Sequence, residues 1–245
     1  MMLLVILLSA FSITTSKKTK MISPAKEGFA VVELFTSEGC SSCPSADKVV
    51  AALPAEFPDN VYILSFHVDY WNYIGWKDVF SKPEYTQRQK QYASRLRLNS
   101  IYTPQVVVNG RHEFVGSNKS KLQSTITSEL KNTSGKLIDV FATATDGKTV
   151  SVMYEAKEAS FEDLNIALIQ KQGVTEVKRG ENGGRKLYHI NIVRDFKTVA
   201  VTQGGKGTVR LSLPEGLSND NCAVIAYLQQ KNTGTITAAK KINLD

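Results

Sequence analysis

The chain has 245 residues, enough for two modest domains, with 42% hydrophobic and 22% charged residues. Its formal charge of +7 is spread as scattered lysine without a dense basic block, which fits a soluble protein with a basic surface and speaks against a nucleic-acid binder. Three cysteines are present and two share one motif, which excludes a disulfide-stapled scaffold.

Met1 to Ile13 is an uninterrupted apolar or small-residue run at the head of the chain, too short to span a bilayer comfortably. Residues 1–16 are therefore expected to be a secretory signal. Such a chain would be periplasmic or secreted, touching a membrane only through this segment if it stays uncleaved. No Lys or Arg precedes the apolar core and no clear small-x-small site follows it, so an uncleaved anchor is the alternative.

A first domain is expected over residues 27–132. Phe29 to Phe35 reads as a strand and Pro44 to Leu53 as a helix with proline in its first turn. Between them stands Gly39-Cys40-Ser41-Ser42-Cys43-Pro44. A Cys-X-X-Cys pair is either a redox dithiol or half of a metal site, and context decides. The strand before and the helix after place Cys40 at a helix N-terminus, where free N–H groups and the helix dipole favour a thiolate, with Cys43 within disulfide reach. The expectation is a reactive dithiol open to solvent. The competing reading is a permanent disulfide that pins helix to strand.

Pro54 to Asn60 reads as a turn and Val61 to Val68 as a second strand, apolar on both faces like a central parallel strand. Asp69 to Ser81 is an aromatic loop holding Trp71, Tyr73 and Trp76. Pro83 opens a helix to about Leu98, with Tyr85, Tyr92 and Leu96 at helical spacing. Thr103-Pro104 precedes the strand Gln105 to Val108. Asn109-Gly110 predicts a hairpin into His112 to Gly116, and Asn118 caps a helix over Lys119 to about Lys131.

The resulting order, β-α-β-α-β-β-α with the dithiol after the first strand, resembles the thioredoxin fold in its minimal, glutaredoxin-like form. That resemblance implies a cis bond at Thr103-Pro104 facing the dithiol, beside a backbone edge for an extended substrate. It also implies a buried acid on the first strand that takes a proton from the resolving cysteine. Glu33 is the candidate, one residue further from the dithiol than in that pattern; the alternative is an outward-pointing Glu33. Longer blocks, Glu33 to Pro44, His67 to Asp78 and Tyr102 to Gln105, together with a softer block from Gly180 to Arg194, resemble a bacterial family of exported thioredoxin-like proteins of unknown function. The resemblance covers nearly the whole mature chain.

His67 and Asp69 close the second strand on the reactive edge, where one orients the other or tunes the Cys40 thiolate; the plainer reading is a hydrogen-bonded histidine at a strand end. Trp71 and Trp76 form either a packed lid or a substrate platform.

From residue 136 to residue 245 short alternating segments with turn signals, Asp146-Gly147 among them, predict an all-β sandwich-like domain. Cys222 falls in the apolar run Cys222 to Leu228 and is expected to be a buried small hydrophobe. Arg185 and His189 lie in the glycine-rich Gly180 to Arg194 stretch. That stretch is either a long hairpin or a loop that docks on the dithiol edge or holds an anionic group.

The leading expectation is an exported thiol–disulfide oxidoreductase. Cys40 attacks and Cys43 resolves, the substrate is a protein or small-molecule disulfide or dithiol, and no cofactor or resident metal is implied. A copper- or zinc-handling protein using Cys40, Cys43 and a histidine is the second reading, weakened by the scatter of His67, His112 and His189. A noncatalytic binding protein on a thioredoxin-like scaffold is the third.

Overall fold

The computed structural model describes residues 28–132, 136–145, 147–156, 159, 161–201 and 204–244. The expected signal segment, residues 1–16, and residues 133–135 between the two expected domains lie outside the described residues.

The first half runs β1 (Ala30–Thr36), α1 (Cys43–Glu56), β2 (Val61–His67), α2 (Pro83–Leu96), β3 (Gln105–Val108), β4 (His112–Val115) and α3 (Lys119–Glu129). Every residue of β1 is buried, because both faces of this central strand are covered. α1 continues through Pro54, which the sequence reading put in a turn; so near the helix end, the ring disturbs only the last turn. Asn109 and Gly110 both take positive φ in the β3–β4 turn, as a tight hairpin requires. The Asn118 side chain accepts from the Lys121 amide at 3.1 Å and so caps α3.

The second half comprises β5 (Asp139–Thr145), β6 (Thr149–Glu155), β7 (Glu162–Glu176), β8 (Lys186–Ala200), β9 (Lys206–Ser212), β10 (Cys222–Gln230) and β11 (Ile236–Asn243). These strands fall into two groups. β5, β6 and β9 form a three-stranded sheet, while the others extend the first half's sheet to eight strands in the order β11-β10-β7-β8-β2-β1-β3-β4. The join is the parallel pairing of β2 with β8 at Ser65 and Ile192, and the Ser65 hydroxyl adds a 2.8 Å bond to the Ile190 carbonyl. Sandwich-like layering is therefore present, but one of its two sheets is shared with the first half. The result is a sheet-rich α/β architecture around one large mixed sheet.

Three apolar clusters fill the layers. α1 and α3 cover one face of β1 to β3 through Ala46, Val50, Leu122 and Ile126. On the same side, further along, the three-stranded sheet packs on Leu164, Ile166, Val224 and Leu228. Cys222 lies in that cluster, fully buried, and burial raises its thiol pKa. The opposite face curls around α2 and packs Tyr85 and Tyr92 against residues of both halves. The curl is tight enough that Ile236 at the head of β11 donates to the Asn109 carbonyl at 3.1 Å. Among the described residues no helix is long and apolar enough to cross a membrane.

Candidate active site

Cys40 and Cys43 form a disulfide with their Cα atoms 5.4 Å apart. α1 begins at Cys43 itself and Ser42 is its N-cap residue, so Cys40 lies just ahead of the helix rather than within it. The Cys43 amide donates to the Cys40 carbonyl at 3.2 Å and closes the turn. A Cβ at Gly39 would sit 3.0 Å from the Trp71 Cβ, so glycine there lets the aromatic loop close on the dithiol turn.

Both cysteines are 0% exposed, which corrects the expectation of an open thiol. Part of the cover comes from the second half. β7 and β8 are each 15 residues long, and the tip between them reaches back over the turn. The buried Asn182 side chain donates to the carbonyls of Glu38 at 2.8 Å and Cys40 at 2.9 Å. Glu181 accepts from the Ser41 amide at 3.1 Å, and the Ser41 hydroxyl, with that amide, holds its carboxyl below the usual range. The Arg185 guanidinium donates to the Asn182 side-chain oxygen Oδ1 at 2.6 Å and holds the side-chain amide in this orientation. Of the two readings of this stretch, the structure combines both: it is a long hairpin, and its tip docks on the dithiol turn.

Thr103-Pro104 is cis. β1 and β3 pair up to Phe35 with Gln105, so the next step of the register puts Pro104 by the end of β1, near the dithiol turn. The Trp71 indole donates to the Thr103 hydroxyl at 2.7 Å and the Trp76 indole to the Glu38 carboxylate at 2.7 Å. Both tryptophans are half-buried and committed to packing around the turn.

Glu33 is not near the dithiol. Val32 and Leu34 face α1, whereas Val31 and Phe35 face α2, so strand alternation puts Glu33 on the α2 side. There it is fully buried and accepts from Arg88 at 2.7 Å, from Tyr227 at 2.7 Å and from Tyr92. The proton-accepting role expected for it is overturned by position as well as by these partners.

His67 does not pair with Asp69 either. β2 ends at His67 and the chain turns over α2, where Asp69 accepts from Thr86 at 2.5 Å. The partner of His67 is Asp78, at 2.7 Å from Nδ1, and Asp78 also accepts from the amides of Glu38 and Phe80. Burial alone would lower the His67 pKa, but the Asp78 carboxylate, with Asp47 and Glu38 further off, raises it above 6.5. Burial pushes Asp78 up, and His67 with the amide donors brings it below 3.8.

Next to this pair lies His189 of β8, its ring 4.8 Å from that of His67. Its nitrogens face Asp47 of α1 at 3.5 Å and Glu38 at 3.8 Å. Asp47 is one helical turn beyond Cys43 and also accepts from Thr36 at 3.3 Å. Asp47, Asp78, Glu38 and Asn182 escaped the sequence reading. Glu38, Asp78 and Asn182 lie inside the blocks that carry the family resemblance, and Asp47 carried its own signal, an acid four residues after Cys43 on the buried face of α1. Among the described residues no three His, Cys, Asp or Glu side chains are arranged to hold a metal ion. His112 lies elsewhere, on Glu129 at 2.9 Å.

The His67–Asp78 pair predicts a bounded stability window. A raised histidine pKa stabilises the fold below the unfolded value and loses that contribution as pH rises through the folded one. A depressed aspartate contributes above its unfolded value and loses it as pH falls through the folded one. Melting temperature should therefore fall on both sides, by about 2–4 °C for each kcal/mol lost in a chain of this size. In Asp78→Asn the alkaline fall should move to lower pH; an unchanged profile would refute the pairing as its source.

Fold and site together define a sheet-rich α/β protein with a Cys-X-X-Cys disulfide at a strand–helix junction. The chain belongs to the family described as a protein of unknown function, DUF1223, whose model matches residues 31–229. It is 34% identical over 86 residues to a thioredoxin from Methanocaldococcus jannaschii, covering 35% of this chain and 78% of that one. The crystal structure of a structural-genomics protein from Agrobacterium tumefaciens is 29% identical, with a TM-score of 0.68 over 89% of this chain and 96% of that chain.

Proposed function

We propose that the protein is an exported thiol–disulfide oxidoreductase built on a thioredoxin-like half, with Cys40 and Cys43 as its redox pair. The observation that carries the reading is the position of the disulfide: it closes the β1–α1 turn, with Cys43 as the first residue of α1. Free N–H groups at that helix end favour negative charge on the sulfur just ahead of it. The thioredoxin similarity and the apolar head of the chain support the redox and export parts of the proposal.

In the reducing direction Cys40 thiolate attacks a substrate disulfide, forming a Cys40–substrate bond and releasing one substrate thiolate, which takes up a proton. Cys43 then loses its proton and attacks Cys40. The second substrate sulfur leaves with the bonding electron pair, and the disulfide is restored. Substrate gains two electrons and the dithiol loses two; the opposite direction runs the same steps backwards. Both sulfurs are covered, so turnover requires the β7–β8 tip to lift.

The same burial favours a second reading, a permanent disulfide that fixes α1 to β1. Redox titration separates the two. An exchanging pair should equilibrate with a potential between about −270 and −120 mV, whereas structural bonds fall below about −300 mV. Dithiothreitol-driven insulin reduction, absent in Cys40→Ser, is the accompanying expectation. A potential below that limit together with no turnover would refute the enzyme.

A further inference from the structure

When Cys43 attacks the mixed disulfide on Cys40 it must first give up a proton, and both sulfurs are buried. Glu33 is on the wrong face of the sheet and already receives three donors. His67 has its Nδ1 bound to Asp78; its Nε2 is unpartnered among the described residues, but it is His189 that reaches Asp47 of α1, at 3.5 Å. The acids and bases that remain beside α1 are Asp47, His189 and Glu38.

Of these, His189 has both ring nitrogens, and Glu38 its Oε1, without a hydrogen-bond partner among the described residues, and His189 is only 3% exposed. A buried imidazole left so under-satisfied is costly unless another demand keeps it there. It stands 3.5 Å from Asp47, which lies on the same face of α1 as Cys43. Residues four apart on a helix have their Cβ atoms about 5–6 Å apart, so Asp47, and with it His189, is placed on the Cys43 side of α1. The charged and titratable groups facing His189 are Asp47 from α1, Glu38 from the dithiol turn, and His67 with Asp78 from β2 and the loop after it.

We propose that His189, oriented by Asp47, takes the proton from Cys43 as it resolves the mixed disulfide. This deepens the oxidoreductase reading and rests on it. The Cys43 S–H bond breaks and its proton passes to an imidazole nitrogen. The thiolate forms the bond to Cys40, and the substrate sulfur leaves with the electron pair and takes a proton in turn. Since β8 carries His189, the second half supplies a working group to the dithiol as well as its cover.

The test uses the reduced full chain and dithiobis(nitrobenzoate), which gives two separable bursts of thionitrobenzoate. Cys40 attack releases the first and Cys43 resolution the second. His189→Gln should leave the first burst unchanged and slow the second by about 10²-fold near neutral pH, the scale of general-base catalysis. The deficit should vanish in alkaline solution, where Cys43 ionises unaided. Asp47→Asn, acting through orientation, should slow the second burst less and show the same alkaline rescue; it carries the test if His189→Gln does not fold. A second burst with the wild-type rate and pH profile, or a loss that high pH fails to rescue, overturns the proposal. A wild-type chain that gives no first burst overturns the oxidoreductase reading instead.

Discussion

Arg88→Met should lower the unfolding free energy by about 3–5 kcal/mol, the scale seen when one partner of a buried ion pair is removed. Arg88 is 5% exposed and Glu33 is fully buried, so neither charge has water to fall back on. The guanidinium also donates to the hydroxyls of Tyr92 at 2.9 Å and Tyr227 at 2.8 Å, and packs over the Phe196 ring at 4.7 Å. Burial depresses the Arg88 pKa, but Glu33 outweighs it and drives the net shift upward, so the arginine stays charged. Methionine keeps much of the volume and leaves the carboxylate uncompensated. The double variant Glu33→Met with Arg88→Met should recover most of the loss, because replacing a whole buried pair by apolar groups is often neutral. Urea unfolding measures both, as a shift of midpoint at constant slope. A single-variant loss under about 1 kcal/mol would show that the pair adds no more than an exposed one.

The same network explains where the sequence was legible and where it was not. β1, β2 and the Asn109-Gly110 turn carry local signals, since an apolar run or a positive-φ turn is written in consecutive residues. Glu33 was a different problem. Alternation gives only relative faces, and deciding which face looks at α1 needs the helix to be in place. Its partners Arg88 and Tyr227 lie 55 and 194 residues away along the chain. The extended sheet was hidden for a related reason: Ser65 with Ile192 is a single long-range pairing that no run of consecutive residues announces. α2 is polar for a buried helix. Arg88 and Gln89 are tolerated inside the curl because each is paired, Gln89 donating to the Tyr102 carbonyl at 2.7 Å.

Those long-range joins bear on the site. His67 and the dithiol turn belong to the first half, while Asn182 and His189 arrive from the second on one hairpin. The hairpin is held at its base by β2 and β10 on either side of it. Its tip is secured by polar contacts to the turn, a weaker attachment than the sheet. Local opening at such a tip should cost far less than unfolding.

Asn182→Ala should therefore expose the disulfide far more often than in the wild type. The amide makes two hydrogen bonds to the carbonyls of Glu38 and Cys40, each worth about 1 kcal/mol net. Losing about 2 kcal/mol from the closed state multiplies the open fraction roughly thirtyfold. The rate of reduction of Cys40–Cys43 by a small phosphine, which must reach the sulfur, should rise by that factor while global stability falls by no more than the same 2 kcal/mol. Glu181→Gln should do much less, because Glu181 is exposed and an amide oxygen can still accept from Ser41. Gly180 and Gly184, both at positive φ, shape the tip beyond the last β7–β8 pair, Glu176 with Lys186. If Asn182→Ala reduced no faster than wild type, the tip would not be what limits access. If in every variant the disulfide yielded only at the global unfolding rate, the cover would be permanent, and Cys40–Cys43 would be a structural bond.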